Sequence, residues 1–205
     1  MMNELGELEM AIRSERHATL AADGVPFTVS TVIDNETGSL IFPAPSVALR
    51  GEEHVLWLPE ERTDAMQILI TLEEIDGDLS ASADRWRIYH GSPGESHWVS
   101  ASLQAVKFGT MVAGSEDLDL SNALAKAEPG LCRKYNADRL LLGRAAHAMD
   151  PRSTGEGLLV GVDPMGFDIR TRFDIVRVPF GERELEPEKA DARVHNLLAE
   201  LSAAV

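Results

Sequence analysis

The segment HATLAADGVPFTVSTVI, residues His17 to Ile33, has the form of a β-hairpin. Asp23-Gly24 separates two runs of strand-forming residues, and this pair tolerates the positive φ that a two-residue hairpin turn requires. Beyond the turn, Val25, Phe27, Val29, Thr31 and Ile33 alternate with smaller or polar residues. A period of two is what a strand with one buried face needs.

Before the hairpin, residues 3–16 (NELGELEMAIRSER) place Leu5, Leu8 and Ile12 at helical spacing among charges, which predicts a short amphipathic helix. After it, Asn35-Glu36-Thr37-Gly38 is turn chemistry and Leu40-Ile41-Phe42 resumes the sheet. Pro43, Pro45 and Pro59 then limit Val55–Leu58 to a short strand. Ala65–Leu72 (AMQILITL) fits either a helix or a buried strand, its Ile and Thr content favouring a helix running into a strand, and residues 73–84 read as acidic turns. Arg85–Tyr89 (RWRIY) and Trp98–Met111 read as strands separated by a loop with Gly91, Pro93 and Gly94.

From Ser121 the pattern turns helical. Pro129 suits a first helical turn, and Leu131, Tyr135, Asp138, Leu142 and Ala145 mark one face of the helix that follows. Leu158–Val162, Phe167–Arg170 and Ile175–Phe180 form a small antiparallel sheet turned at Asp163-Pro164-Met165-Gly166, and Pro187 opens a last helix carrying Val194, Leu197, Leu198 and Leu201. Runs of strands set apart from helices place the chain in the α+β class. The expected domains are 1–120 and 121–205, with the boundary between 115 and 128.

The 205 residues carry 44% apolar and 26% charged side chains, a globular balance, and a formal charge of −15. That charge argues against nucleic acid, whose binding needs a cationic surface to release counterions, and against an anionic membrane. Cys132 is the only cysteine, so an internal disulfide or a cysteine-rich metal site is impossible, and its setting reads as a small core residue. The N-terminal residues lack the features of a signal peptide, and no apolar run approaches the ~20 residues of a membrane span. A cytoplasmic location is expected.

The sequence contains no phosphate-binding glycine loop, dinucleotide fingerprint, nucleophile elbow or helical His-x-x-x-His pair. Of the six histidines, His54 and His195 read as surface residues and His147 as a residue favoured near a helix C-terminus. His17, His90 and His97 each begin or end a strand in this reading. Period-two alternation places Trp86, Ile88 and His90 on one strand face and Arg85, Arg87 and Tyr89 on the other. A histidine beside an apolar Trp/Ile face is suited to ligating an iron porphyrin, or else to a plain hydrogen bond at a strand end.

HATLAADGVPFTVSTV resembles the first hairpin of the flavin-binding split-barrel superfamily, which includes the pyridoxamine-phosphate oxidases. RWRIYHG, WVSASLQAVKFGTMVAG and the helix AKAEPGLCRKYNADRLLL are similar to its haem-utilisation and haem-degradation branch. The tail LLVGVDPMGFDIR, IVRVPF and ARVHNLLAEL is similar to the small α/β domain which that branch appends. The resemblance implies a split β-barrel followed by a small α/β domain, a homodimer, and a ligand site at the barrel–dimer seam. Relatives hold flavin, deazaflavin or haem there, and some cleave haem.

The chain departs from that pattern at two places. The family's Asn-Ala-Asp-His is Asn136-Ala137-Asp138-Arg139 here. The serine-and-basic segment that grips a flavin phosphate is replaced by Phe42-Pro43-Ala44-Pro45-Ser46, with Arg50 followed by Glu52 and Glu53. A phosphate needs convergent donors and positive potential. The expected cofactor is therefore b-type haem or a similar tetrapyrrole, ahead of FMN or a deazaflavin (F420). The resemblance points to His90 as the iron ligand, then His97 and His17, with Trp86, Arg85 and Arg87 around the macrocycle. The competing readings are a flavin- or deazaflavin-dependent oxidoreductase and a ligand-free dimeric regulatory or interaction protein.

Overall fold

In a computed structural model, which describes residues 4–94 and 96–203, Asp23 and Gly24 take φ of 48° and 79°. They close the hairpin between β1 (His17–Ala22) and β2 (Val25–Ser30) with Ala22 opposite Val25, as a two-residue turn with both φ positive requires. Asp23 also caps a neighbouring loop, accepting the backbone N–H of Glu52 and Glu53 on Oδ1 at 3.1 and 3.0 Å. Residues 1–3, on which the signal-peptide expectation and the start of the first helix partly rest, lie outside the described residues.

The chain divides into two compact units, Met1–Ser121 and Asn122–Val205. In the first, β3 (Val32–Ile33), β4 (Leu40–Ala44), β5 (His54–Leu58), β6 (Met66–Ile75), β7 (His97–Phe108) and β8 (Met111–Gly114) join the hairpin. The order is β2-β1-β5-β6-β7-β4-β3, with β8 on β7, and each described pairing is antiparallel. This sheet curls strongly into a half-barrel, which fits the split-barrel fold expected from the sequence.

Its concave core follows the alternation. Ala18, Leu20 and Ala22 of β1, Leu56 and Leu58 of β5, and Met66, Ile68 and Ile70 of β6 all point in. Helix α1 (Glu4–Ser14) adds Leu8 and Ile12 to that core. The same helix buries Arg13, whose Nε bonds Glu9 at 2.9 Å and whose Nη2 donates to the carbonyls of Asp119 and Ser121. A buried guanidinium is tolerated only when its donors are used in this way.

Several local expectations are overturned, among them the acidic turns over 73–84, which give way to the end of β6 and the start of a helix. Ala65–Leu72 contains no helix: β6 runs unbroken from Met66 to Ile75, because Ile68 and Ile70 alternate into the core while Leu69 and Thr71 face out. Arg85–Tyr89 is no strand: it lies in helix α2 (Ala81–His90), capped by Ser80 Oγ, which accepts the N–H of Ala83 at 3.3 Å. His54 is buried, with Nε2 2.8 Å from the Ala48 carbonyl, because β5 turns it inward beside Leu56 and Leu58.

The second unit packs α3 (Glu128–Tyr135), α4 (Arg139–Met149) and α5 (Pro187–Ala203) on a sheet of order β11-β10-β9. The strands are β9 (Leu158–Asp163), β10 (Gly166–Arg170) and β11 (Ile175–Pro179). Their core includes Leu142, Leu159, Val162, Phe167, Ile169, Val194 and Leu198. The single helix read from Pro129 onward is two, because Asp138 leaves helical geometry to cap α4, accepting the N–H of Leu141 at 2.9 Å. Behind the core sheet, Arg177 is held between Asp163 at 2.7 Å and Asp168 at 3.3 Å, all three side chains below 10% exposed. Among the described residues, no helix is long and apolar enough to cross a membrane.

Candidate functional site

Arg85, Trp86 and His90, among the residues singled out in the sequence, come together on α2 through helical and not strand spacing. Residues four apart share a helix face. Trp86 and His90 therefore meet in a tilted contact with ring centroids 4.8 Å apart, and Arg85 reaches Tyr89, donating from Nη2 to the phenol oxygen at 3.1 Å. Ile88, placed beside them by the strand reading, is instead 51% exposed on the other side of the helix.

Helix α2 is pinned where β2 gives way to β3. Trp86 donates its Nε1–H to the Ser30 carbonyl at 2.6 Å. The Nε2 of His90 lies 3.1 Å from the Thr31 carbonyl, and since a carbonyl only accepts, this bond requires the proton on Nε2. The exposed ring of His17, at the start of β1, stands with its centroid 6.2 Å from His90 and its Nδ1 3.2 Å from Ser30 Oγ. The hairpin register that pairs His17 with Ser30 brings these two groups together.

Cations surround the cluster. The Arg16 and Arg85 guanidiniums lie 5.5 and 5.1 Å from the centre of the Tyr89 ring, within cation–π range. Arg16 was not singled out by sequence reasoning, although it adjoins His17. On the other flank, Arg87 lies 4.9 Å from the Trp98 ring and donates to the Gly77 carbonyl at 3.0 Å and to Asp84 at 2.7 Å. Gly77 is required there, because a Cβ would stand 2.0 Å from the Trp98 ring. Trp98 meets Trp86 edge to face at 5.3 Å.

The structure thus gathers His17, Trp86, His90 and Arg85 directly, and brings in Arg87 through Trp98. His97 is turned to the opposite side of β7 from Trp98 and pairs with Glu74, 2.6 Å from its Nδ1. Trp86, Tyr89 and Trp98 are each below 10% exposed, so these rings form the floor that fixes α2, while His17 is the exposed imidazole. Chemically, the cluster presents the exposed His17 and half-buried His90 imidazoles beside an aromatic floor, with the half-buried Arg85 and the buried Arg16 guanidiniums against Tyr89.

A carboxylate anchors the approach to α2. Asp34 accepts the N–H of Thr37 at 2.7 Å and of Glu36 at 3.0 Å, and the hydroxyls of Thr37 and Ser82. Burial pushes its carboxyl up, but these four donors outweigh burial and hold it below the ordinary carboxylate value. Among the described residues, no group of three or more His, Cys, Asp or Glu is placed to hold a metal ion.

No family model matches the chain, and no curated protein matches it in sequence. Among solved structures, a haem-binding protein from Mycobacterium smegmatis aligns over 99% of both chains with TM-score 0.44 and 16% identity, too slight an overlap to show a common topology. A protein of unknown function from Agrobacterium tumefaciens aligns over 97% of this chain and 98% of its own, with TM-score 0.70 and 19% identity. That similarity shows a fold shared over nearly the full length of both chains.

Proposed function

We propose that this chain binds a haem-type tetrapyrrole at the cluster formed by α2 and the start of β1. The observation that carries the reading is the pair of imidazoles, His17 and His90, with ring centroids 6.2 Å apart beside the Arg16 and Arg85 guanidiniums. An iron that arrives with four porphyrin nitrogens asks the protein for one or two axial ligands, and imidazole is a common one. Its two propionates ask for nearby cations, which the half-buried Arg85 offers, with Arg16 buried behind it, in a chain whose net charge is −15. The donor set therefore fits the group.

The two histidines take different parts. A ligating imidazole is usually oriented by a hydrogen bond on one ring nitrogen, and Ser30 Oγ, 3.2 Å from Nδ1 of the exposed His17 ring, provides one. His90 holds its Nε2 proton on Thr31, so ligation through that atom requires giving up a bond worth about 1 kcal/mol. His17 is thus the first axial candidate and His90 the second.

Hemin titration of the full chain, followed at the Soret band, tests this. The expected result is saturable uptake of one haem per chain. His17→Ala moves the band and weakens binding about tenfold or more, the equivalent of ~1.4 kcal/mol, and His90→Ala has the smaller effect. Absence of a saturable Soret shift, or a shift that neither substitution alters, ends the reading. Parallel titrations with FMN and a deazaflavin distinguish a tetrapyrrole site from a flavin site.

A further inference from the structure

The unit Asn122–Val205 holds a concentration of positive charge of its own. A groove of about 410 Å³ opens where α4 begins, β9 begins and β10 ends, and it is lined by Arg139, Arg170 and Arg172. Arg139 is the first residue of α4, Arg170 the last of β10, and Arg172 lies on the turn that follows. In a chain with 34 acidic and 19 basic side chains, a groove where three guanidiniums meet one carboxylate, Glu156, reverses the average. Among the described residues, neither Arg139 nor Arg172 forms an ion pair. Like charges gathered in one groove repel, and a bound anion relieves that repulsion.

The groove is held in shape by its surroundings. Asn136 clamps the start of β9 to the α3–α4 junction, donating from Nδ2 to the Leu159 carbonyl at 2.9 Å and accepting the Leu159 N–H on Oδ1 at 2.7 Å. Gly157 donates its N–H to the Arg139 carbonyl at 2.9 Å, tying the incoming loop to the first turn of α4. Two glycines permit the close approach: a Cβ on Gly157 would stand 2.9 Å from the backbone of Leu142, and one on Gly143 would stand 1.9 Å from the Gly155 oxygen. Within Asn136-Ala137-Asp138-Arg139, Asn136 and Asp138 thus have structural duties, while Arg139 lines the groove.

We propose that this groove binds a small polyanion, a molecule bearing phosphate or paired carboxylates, with Arg139, Arg170 and Arg172 as its clamp. Guanidinium groups bind such oxyanions through parallel N–H···O bonds, which a lysine ammonium cannot match in geometry. The groove has the volume of a small-ligand site and is too small for a folded partner. The Thr154 hydroxyl, also on its wall, adds a neutral donor. This site and the tetrapyrrole reading stand on separate residues.

Isothermal titration of the full chain with pyrophosphate and with citrate tests the proposal, since the first presents phosphates and the second carboxylates. One site per chain is expected for at least one of them, weakening as sodium chloride is raised. The double variant Arg139→Gln/Arg172→Gln lowers affinity tenfold or more while its thermal midpoint stays near that of the parent. Glu156→Gln strengthens binding, and Arg152→Gln, which removes a guanidinium already engaged by Asp150 at 3.0 Å, leaves it unchanged. Failure of both anions to bind saturably, or undiminished binding by the double variant, overturns the proposal.

Discussion

Replacing Gly143 by alanine measures how firmly the loop before β9 is pressed onto α4. Gly143 sits within the eleven-residue helix, where alanine in place of glycine ordinarily stabilises by about 1 kcal/mol. Here the added Cβ would stand 1.9 Å from the Gly155 carbonyl oxygen and 3.0 Å from its carbon. Both are backbone atoms, so no side-chain rotation relieves the overlap and the loop must retreat by more than an ångström. Overpacking of this kind costs about 1–3 kcal/mol. Loss of the Gly157-to-Arg139 hydrogen bond as the loop moves adds ~1 kcal/mol. The net expectation is destabilisation by about 1–3 kcal/mol, the propensity gain notwithstanding. Urea unfolding of the full chain followed by circular dichroism reads this, with Gly130→Ala as the matched control. Gly130 also lies in a helix, α3, but a Cβ there meets nothing within 4 Å, so that variant is neutral or stabilised by up to ~1 kcal/mol. A Gly143→Ala protein as stable as the Gly130→Ala protein would refute the close-approach argument, and with it the rigid wall of the arginine groove.

Two further outcomes follow from the anchoring of α2. Trp86→Phe keeps an aromatic ring on the floor but removes the Nε1–H that serves the Ser30 carbonyl at 2.6 Å, so a loss of about 2 kcal/mol is expected in denaturant unfolding; the same change lowers tryptophan fluorescence by removing one of the three indoles, the one that meets Trp98 edge to face. Asp34 has its folded pKa below the ordinary 3.8, so its charged form is bound more tightly than in the unfolded chain. Its stabilisation is present above the unfolded pKa and is lost as pH falls through the folded value, below about pH 4. Asp34→Asn flattens that acid limb in a pH series of unfolding curves; an unchanged limb would show that other carboxylates set it.

The hairpin, the α+β class and the small C-terminal sheet were legible because their signals are local. Asp23-Gly24 dictates its turn and β1 alternates onto one buried face, whereas in β2 Val25 stays 54% exposed and only Val29 is buried. Helix α2 was misread because aromatic and β-branched residues in RWRIY favour strands when judged one at a time. The helical signal was also present, in Ser80 as cap, Asp84 in the first turn and Gly91 after the last, with φ of 89°. Ala83, Trp86 and Tyr89 at spacings of three then form its buried stripe. The strand reading put Trp86 and His90 on one face for the wrong reason, since the two residues coincide at a period of two and also at helical spacing. Arg16 carried no such signal, because its surroundings come from residues distant in sequence. His54 carried one, since period two places it on the face of Leu56 and Leu58, but its acidic neighbour Glu53 and the nearby Pro59 suggested a surface position.

The placement of arginine says more about partners than the net charge does. Arg13 and Arg177 are taken up by internal carboxylates and carbonyls, and they hold the fold. Arg87 spends its donors on Asp84 and Gly77. Paired with Glu9, Asp163, Asp168 and Asp84, such arginines add little to the field a ligand meets. Against that background, Arg139 and Arg172 stand without an ion pair among the described residues, on a groove with a single carboxylate. A stretched, base-rich surface of the kind that grips a nucleic-acid backbone is a different pattern. Positive potential confined to a pocket, inside a negative exterior, selects for small anions and repels large ones, because only a small ligand can enter without carrying its charge across the acidic surface around it.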